Sequence, residues 1–395
     1  MQWIYAKMKS PNYLNTRMKL RVSYTVRWVK VSKCIRGLEI ITPLESFRDD
    51  IVISDGEIRK IGSGICNEEI KVDRGKYVIP GMIDIHTHGI GGILVNDIRS
   101  INDYEKMVSY YYSHGVTTFI PSTISENVEK LVSIARVLNE VKSIGIHLEG
   151  PLINPNRAGA HKFFTRFDER ILEISKLFKI KRITIAPEIL SDKELENLAD
   201  NFQVSLGHTD ANSDDTRRAI GFGASSVTHL FNAMRPFHHR DPGIIGVSLT
   251  SPIYAEVISD LVHINEITLS IVSKLKGDKT ILVTDSLQAA GLGEGEFLLY
   301  GEKITCDKAC FEANKRLVGS NITLDEGVRR VSKIIGLREA IKYVTYSPAS
   351  LLNLEKIGQI SRGYVADLVI LDENLNVLTT LKSGSIVFSI FKNSS

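Results

Sequence analysis

At 395 residues the chain is long enough for one large α/β domain plus a smaller one. With 43% hydrophobic and 24% charged residues it has the composition of a globular protein with a sizeable core, which excludes a disordered or fibrous chain. A formal net charge of +3 gives no general attraction to nucleic acid or to a membrane surface, and no apolar run is long enough to span a bilayer.

In chain order, residues 1–23 come first as a basic arm. The opening stretch repeats Lys and Arg without a single Asp or Glu, and no apolar signal-peptide region follows it. Met8 and Met18 each offer a later start, so a loosely ordered or variable terminus is expected rather than a targeting or nucleic-acid arm. From Tyr24 the text turns to short alternating strands. In IVISDGEIRKIGSG an Asp-Gly pair sits between two apolar runs, which is a hairpin signature. The far end, IGQISRGYVADLVILDENLNVLTTLKSGSIVFSIF, has the same character. Residues 24–79 together with 355–391 are therefore expected to form one small β-sandwich domain from both termini.

The pattern changes at Pro80. Over residues 80–354, apolar β-branched runs alternate with helical periodicity. The expected strands are MIDIH (82–86), TTFIP (117–121), IGIHLE (144–149), ITIAPE (183–188), FQVSLGH (202–208), SSVTHLF (225–231), IYAEVIS (253–259) and ILVTD (281–285). Eight such repeats are what a closed (β/α)8 TIM-type barrel requires. The rival, an open doubly wound sheet, would need a Gly-rich phosphate fingerprint after its first strand, and GIGG (89–92) lacks that spacing. The four cysteines, Cys34, Cys66, Cys306 and Cys310, show no disulfide-scaffold spacing and are expected to be reduced, in a cytoplasmic protein.

Metal-competent side chains fall at the C-terminal ends of these strands. His86 and His88 end the first, Glu149 the third, His208 the fifth, His229 the sixth and Asp285 the eighth. In a barrel those ends form the catalytic face, and residues two apart on a strand point the same way. A single strand histidine is more often a packed or hydrogen-bonded residue, and Asp285 by itself reads as an N-cap or ion-pair residue. Six such groups at strand ends read instead as a metal-dependent hydrolase. Imidazole and carboxylate without thiolate suit a divalent metal, Zn²⁺ first and Fe²⁺ as the alternative. Asp285, closing the last strand, is placed to carry a proton from attacking water to a leaving group.

PGMIDIHTHGIGG, HLEGPLINPNRAGAH, GHT, THLFNAM, VTDS, LVGSNITLDEGVR and SPASLLNL follow one another in this order. With them the chain, from about Val31 to Val387, resembles the N-acetylglucosamine-6-phosphate deacetylases of the amidohydrolase superfamily. The resemblance implies Glu149, His208 and His229 as metal ligands and Asp285 as catalytic acid/base. It implies His161, next to Ala160, as a contact to the acetamido group, with Asn232, Ala233 and His263 also on the substrate. Leu317, Val318 and Gly319 would form a loop over the sugar. Arg240, in HHRDPG, would reach across a homodimer interface to the phosphate in the neighbouring active site. Because His86 and His88 are retained, a second metal shared by Glu149 and Asp285 is expected as the alternative to one per subunit. No Lys ends the fourth strand, so a carbamylated-lysine bridge is not expected. The implied reaction is hydrolysis of N-acetyl-D-glucosamine 6-phosphate to D-glucosamine 6-phosphate and acetate in amino-sugar catabolism. The rivals are a deacetylase of N-acetylgalactosamine 6-phosphate, an amidohydrolase for another N-acyl compound, and a non-catalytic binding protein on the same scaffold. No nucleic-acid or membrane partner is expected.

Overall fold

A computed structural model describes residues 32–391, so the basic arm and the first part of the expected N-terminal strand region lie outside the described residues. Eight parallel strands form the barrel: Met82–Thr87, Val116–Thr123, Gly145–Glu149, Ile180–Ile185, Gln203–Leu206, Ser226–Val227, Tyr254–Ile258 and Thr280–Val283, each beside the next. All eight overlap strands expected from the sequence, although Ile180–Ile185 starts and ends three residues earlier than expected and Ser226–Val227 is two residues long, and a helix follows each of them in the chain. The expected helices appear as Ile101–Ser113, Val128–Glu140 and Asp192–Asn201. Their starts are chemically marked: Ser100 and Asn127 accept a backbone N–H of the first turn, and Ser191 and Glu194 form a reciprocal capping box.

The seam between the first and last strands is closed differently from the rest. Instead of a strand ladder, the Thr284 hydroxyl donates to Asp84 (2.6 Å), the Asp285 N–H donates to the His86 carbonyl (2.9 Å), and the His88 N–H donates to the Ser286 carbonyl (2.8 Å). The residues that carry the candidate chemistry thus also join the barrel's ends.

Strands from both termini make a second, connected sheet, in the order Ser385–Ser389, Val377–Lys382, Leu368–Leu371, Tyr77–Pro80, Ser32–Ile41, Ser46–Ser54, Glu57–Ile61. It curls round a core of its own, in which Ile51 and Ile58 from one end pack with Leu368, Leu378 and Leu381 from the other. The Asp55-Gly56 turn has φ of 55° and 77°, the two positive values that a tight hairpin of this kind needs.

Two features depart from the sequence reading. The cysteines are paired, Cys34 with Cys66 and Cys306 with Cys310. Spacing could not show this, because Cys66 is brought to Cys34 by the strand pairing of Glu68–Glu69 with Ser32–Ile41. The Cys34–Cys66 bridge closes a loop of 32 residues' separation, for which chain entropy gives about 3–4 kcal/mol. Replacing both by Ala is expected to lower the unfolding free energy by about 3 kcal/mol, read from denaturant midpoints; a loss too small to resolve would mean that the bridge does not form in solution. Second, Leu317–Gly319 is a strand rather than a loop. It is the edge of a four-stranded antiparallel sheet with Gly295–Leu299, Glu302–Cys306 and Cys310–Glu312, inserted after the eighth barrel strand. The following Ser320 exchanges backbone hydrogen bonds with the barrel end, donating to Asp285 and accepting from Leu287 (both 2.9 Å).

Candidate metal centre

The barrel interior is polar where such barrels usually pack branched apolar side chains. His147 hydrogen-bonds Ser122 (2.9 Å) and Thr184 (2.8 Å); Thr184 bonds Thr228 (2.8 Å), which bonds Ser205 (2.6 Å), and all five are fully buried. His147 is thus a satisfied core histidine, held uncharged by burial, and its ring meets that of His86 edge-on with centroids 4.7 Å apart.

Above this layer the structure brings all six strand-end residues together around Glu149. Its Oε1 lies 3.0 Å from His229 Nε2, 3.2 Å from His208 Nε2 and 3.3 Å from His86 Nε2. Its Oε2 lies 2.9 Å from His88 Nε2 and 3.1 Å from His161 Nε2. Asp285 Oδ1 closes the group, 3.3 Å from His88 Nε2 and 3.5 Å from His86 Nε2. His208, His229 and Asp285 all have positive φ, 49°, 29° and 48°. Each lies two residues beyond its strand's last residue, and the left-handed backbone turns its side chain into the barrel mouth. Such conformations cost roughly 1–3 kcal/mol each and persist where the surroundings over-determine them.

Hydrogen bonding on the far side of each ring decides what its near side can do. His88 Nδ1 faces the Ser122 carbonyl (3.0 Å) and His208 Nδ1 the Arg157 carbonyl (2.9 Å). A carbonyl only accepts, so Nδ1 carries the proton and Nε2 presents a lone pair. His86 Nδ1 does the same to Glu256 (3.0 Å). His229 Nδ1 is buried without such a partner. His161 is reversed: its Nδ1 accepts from the Ser125 N–H (3.0 Å), so the proton sits on Nε2, facing the centre. Distance alone would group His161 with Glu149 and His208 as metal-competent. Its tautomer makes it a donor instead, and burial keeps it uncharged, with its pKa down at about 4.

The donor set fits a divalent cation. Two imidazole nitrogens on one tetrahedral Zn²⁺ lie about 3.3 Å apart. His86 and His88 Nε2 are 3.3 Å apart, and His208 and His229 Nε2 are 3.0 Å apart. The facing lone pairs of His86 and His88 repel at that distance unless a cation or a proton lies between them. Burial alone would lower the His88 pKa, but Asp285 and Glu149 outweigh it and raise it to about 9. A metal bound there would displace a proton at neutral pH, so its affinity would rise with pH.

The cavity over this centre is lined by Ala160, His161, Asn232, Ala233, His263, Leu317, Val318 and Gly319, together with Ile124, Leu287 and Leu299. Asp260 grips His263, accepting from its Nδ1 (2.6 Å); burial would lower the His263 pKa, but this partner raises it. Arg240 is not in the lining. It is exposed, its Nη1 against His239 (2.9 Å), and no Lys or Arg lines the cavity. Sequence reasoning missed Glu256, Arg182 and Asp260. The available signal was a charged side chain inside an otherwise apolar strand, as in IYAEVIS.

An eight-stranded parallel barrel with a buried His–Glu–Asp cluster at its strand ends defines a metal-dependent hydrolase. Residues 77–387 match the amidohydrolase family. The N-acetylglucosamine-6-phosphate deacetylase of Lysinibacillus sphaericus is 33% identical over 383 residues, covering 90% of this chain and 98% of that one. The crystal structure of the Thermotoga maritima N-acetylglucosamine-6-phosphate deacetylase superposes with a TM-score of 0.81 at 32% identity, covering 90% of this chain and 99% of that one. That of a Mycobacterium smegmatis variant in complex with N-acetyl-D-glucosamine-6-phosphate gives 0.83 at 26% identity, covering 91% and 100%. The chain belongs to the amidohydrolase family, in the group of N-acetylglucosamine-6-phosphate deacetylases.

Proposed function

We propose that the protein hydrolyses N-acetyl-D-glucosamine 6-phosphate to D-glucosamine 6-phosphate and acetate, a step of amino-sugar catabolism. The observation that carries this reading is the opposed tautomers around Glu149: His88 and His208 present lone pairs, whereas His161 presents an Nε2–H. Glu149, His208 and His229 would hold a divalent cation, which would supply Lewis-acid polarisation of a carbonyl and lower the pKa of water to near neutral. His161 donates to the acetamido oxygen, strengthening as negative charge develops there. Asp285, whose pKa burial would raise but His86 and His88 hold below the usual carboxylate range, takes the proton of the attacking water and returns it to the departing amine. Asn232, Ala233, His263 and Leu317–Gly319 enclose the sugar. Zn²⁺ is the first expectation for the metal, Fe²⁺ the alternative. His86 and His88, with Glu149 and Asp285, would hold a second ion.

The phosphate is the part of this substrate that the cavity does not neutralise. In our reading Arg240 of a second copy supplies the charge across a homodimer interface, since Arg pairs well with phosphate oxygens. A phosphorylated substrate is confined to the cell interior by its charge, which is why we place the enzyme in the cytoplasm; among the described residues no helix is long and apolar enough to cross a membrane.

The deciding experiment is acetate release from the gluco and galacto epimers of the N-acetyl amino-sugar 6-phosphate and from unphosphorylated N-acetylglucosamine. Preference for the phosphorylated gluco epimer is expected; equal turnover of the unphosphorylated sugar would remove the case for a phosphate site. Arg240→Ala is expected to raise KM for the phosphorylated sugar roughly 10- to 100-fold, the value of a lost charge-assisted hydrogen bond, while leaving kcat near its starting value. A KM unchanged by that substitution would detach Arg240 from the substrate.

A further inference from the structure

His86 differs from His88 and His208 in what holds it. Where those two rings donate to backbone carbonyls, His86 donates from Nδ1 to the carboxylate of Glu256, on the seventh barrel strand (3.0 Å). The other oxygen of Glu256 is paired with Arg182, on the fourth strand. Arg182 reaches across the barrel interior to do so, donating also to the Ile85 carbonyl (3.0 Å) and to Ser226 (3.2 Å). Both charged side chains are fully buried.

Folding does not explain this arrangement. A buried ion pair is often neutral or unfavourable beside an apolar filling of the same volume, and a carbonyl would orient the ring equally well, as it does at His88. What only a carboxylate provides is a full negative charge behind the imidazole. Such outer partners fix the ring's tautomer and strengthen its donation to a metal. Arg182 then keeps that carboxylate from being an isolated buried charge.

We propose that Glu256, secured by Arg182, is a positioning residue that makes His86 an Nε2 metal ligand and so builds the His86–His88 side of the centre as a second cation site. The inference rests on the reading of His86 and His88 as ligands, and it extends that reading to residues outside the cavity. Nothing in it involves contact with the substrate.

The test is a metal titration, independent of turnover. Metal-stripped protein is titrated with Co²⁺, following ligand-field absorption, and with Zn²⁺ in competition with a chelator. The forms compared are the starting protein, Glu256→Gln, and the double variant Glu256→Gln, Arg182→Met, which leaves no unpaired buried charge. Thermal midpoints of the metal-stripped forms report folding. The starting protein is expected to bind two ions. The folded variants should keep the tighter ion within about threefold and bind the second about 10- to 100-fold more weakly. A folded double variant that binds both ions with the starting affinities overturns the proposal. So does equal weakening of both, which would mark the pair as a structural prop of the barrel. A starting protein that binds a single ion overturns it too, together with the two-ion reading; that failure is seen before any variant is made, and it leaves the deacetylase assignment standing.

Discussion

Asp285→Asn is expected to lower kcat by roughly 10²- to 10⁴-fold, the usual contribution of a positioned proton carrier, while substrate binding remains measurable. Asn keeps the size of the side chain but cannot accept and return a proton. The backbone around it is fixed independently of the carboxylate: its N–H donates to the His86 carbonyl and its carbonyl accepts from Ser320 (both 2.9 Å). The left-handed φ of 48° is tolerated by Asn as well as by Asp. The substitution should therefore change chemistry without moving the strand end. The measurement is single-turnover acetate release on metal-loaded protein, with substrate affinity from equilibrium dialysis. Near-normal turnover would show that some other group moves the proton.

The second large effect is expected at Glu149. Its two oxygens lie within 3.3 Å of five imidazoles, those of His86, His88, His161, His208 and His229. Both candidate cation positions draw on this one carboxylate. Glu149→Gln removes the charge at almost constant volume and replaces an acceptor with an amide NH₂ that faces a lone pair. Bound metal should fall to near zero per chain after ordinary purification. Loss of several kcal/mol of Lewis-acid stabilisation corresponds to a fall in turnover on the order of 10³-fold or more. Metal analysis and acetate release on the same sample decide it; a full metal complement with normal turnover would sink the assignment.

What could be read from the residues followed short-range pattern. Most of the barrel strands are β-branched runs of ordinary length, and the candidate metal-binding residues stand at or just beyond their ends, so both were visible. Three matters were not, for a common physical reason: each depends on which segments pair, and no local pattern shows that. The Cys34–Cys66 bridge needs the register of two strands. The strand at Leu317–Gly319 is three residues long and exists because Cys310–Glu312 lies beside it. Glu256 and Arg182 lie 74 residues apart, and only the barrel's curvature joins them beneath His86. The tautomers were equally beyond sequence. His161 and His208 are the same residue type, and what separates a donor from a ligand is whether Nδ1 meets an N–H or a carbonyl.

The sheet made from both termini has a consequence for how the protein is born. Tyr77–Pro80 pairs with Leu368–Leu371, so almost the whole barrel is translated between two neighbouring strands. At ~5–20 residues per second, the edge of Tyr77–Pro80 waits roughly 15–60 s on the ribosome for its partner. During that interval Val78 and Ile79, both buried in the finished protein, have no sheet neighbour on that side. The terminal sheet can close only after the barrel segment has been synthesised, so the last strands made complete one of the earliest.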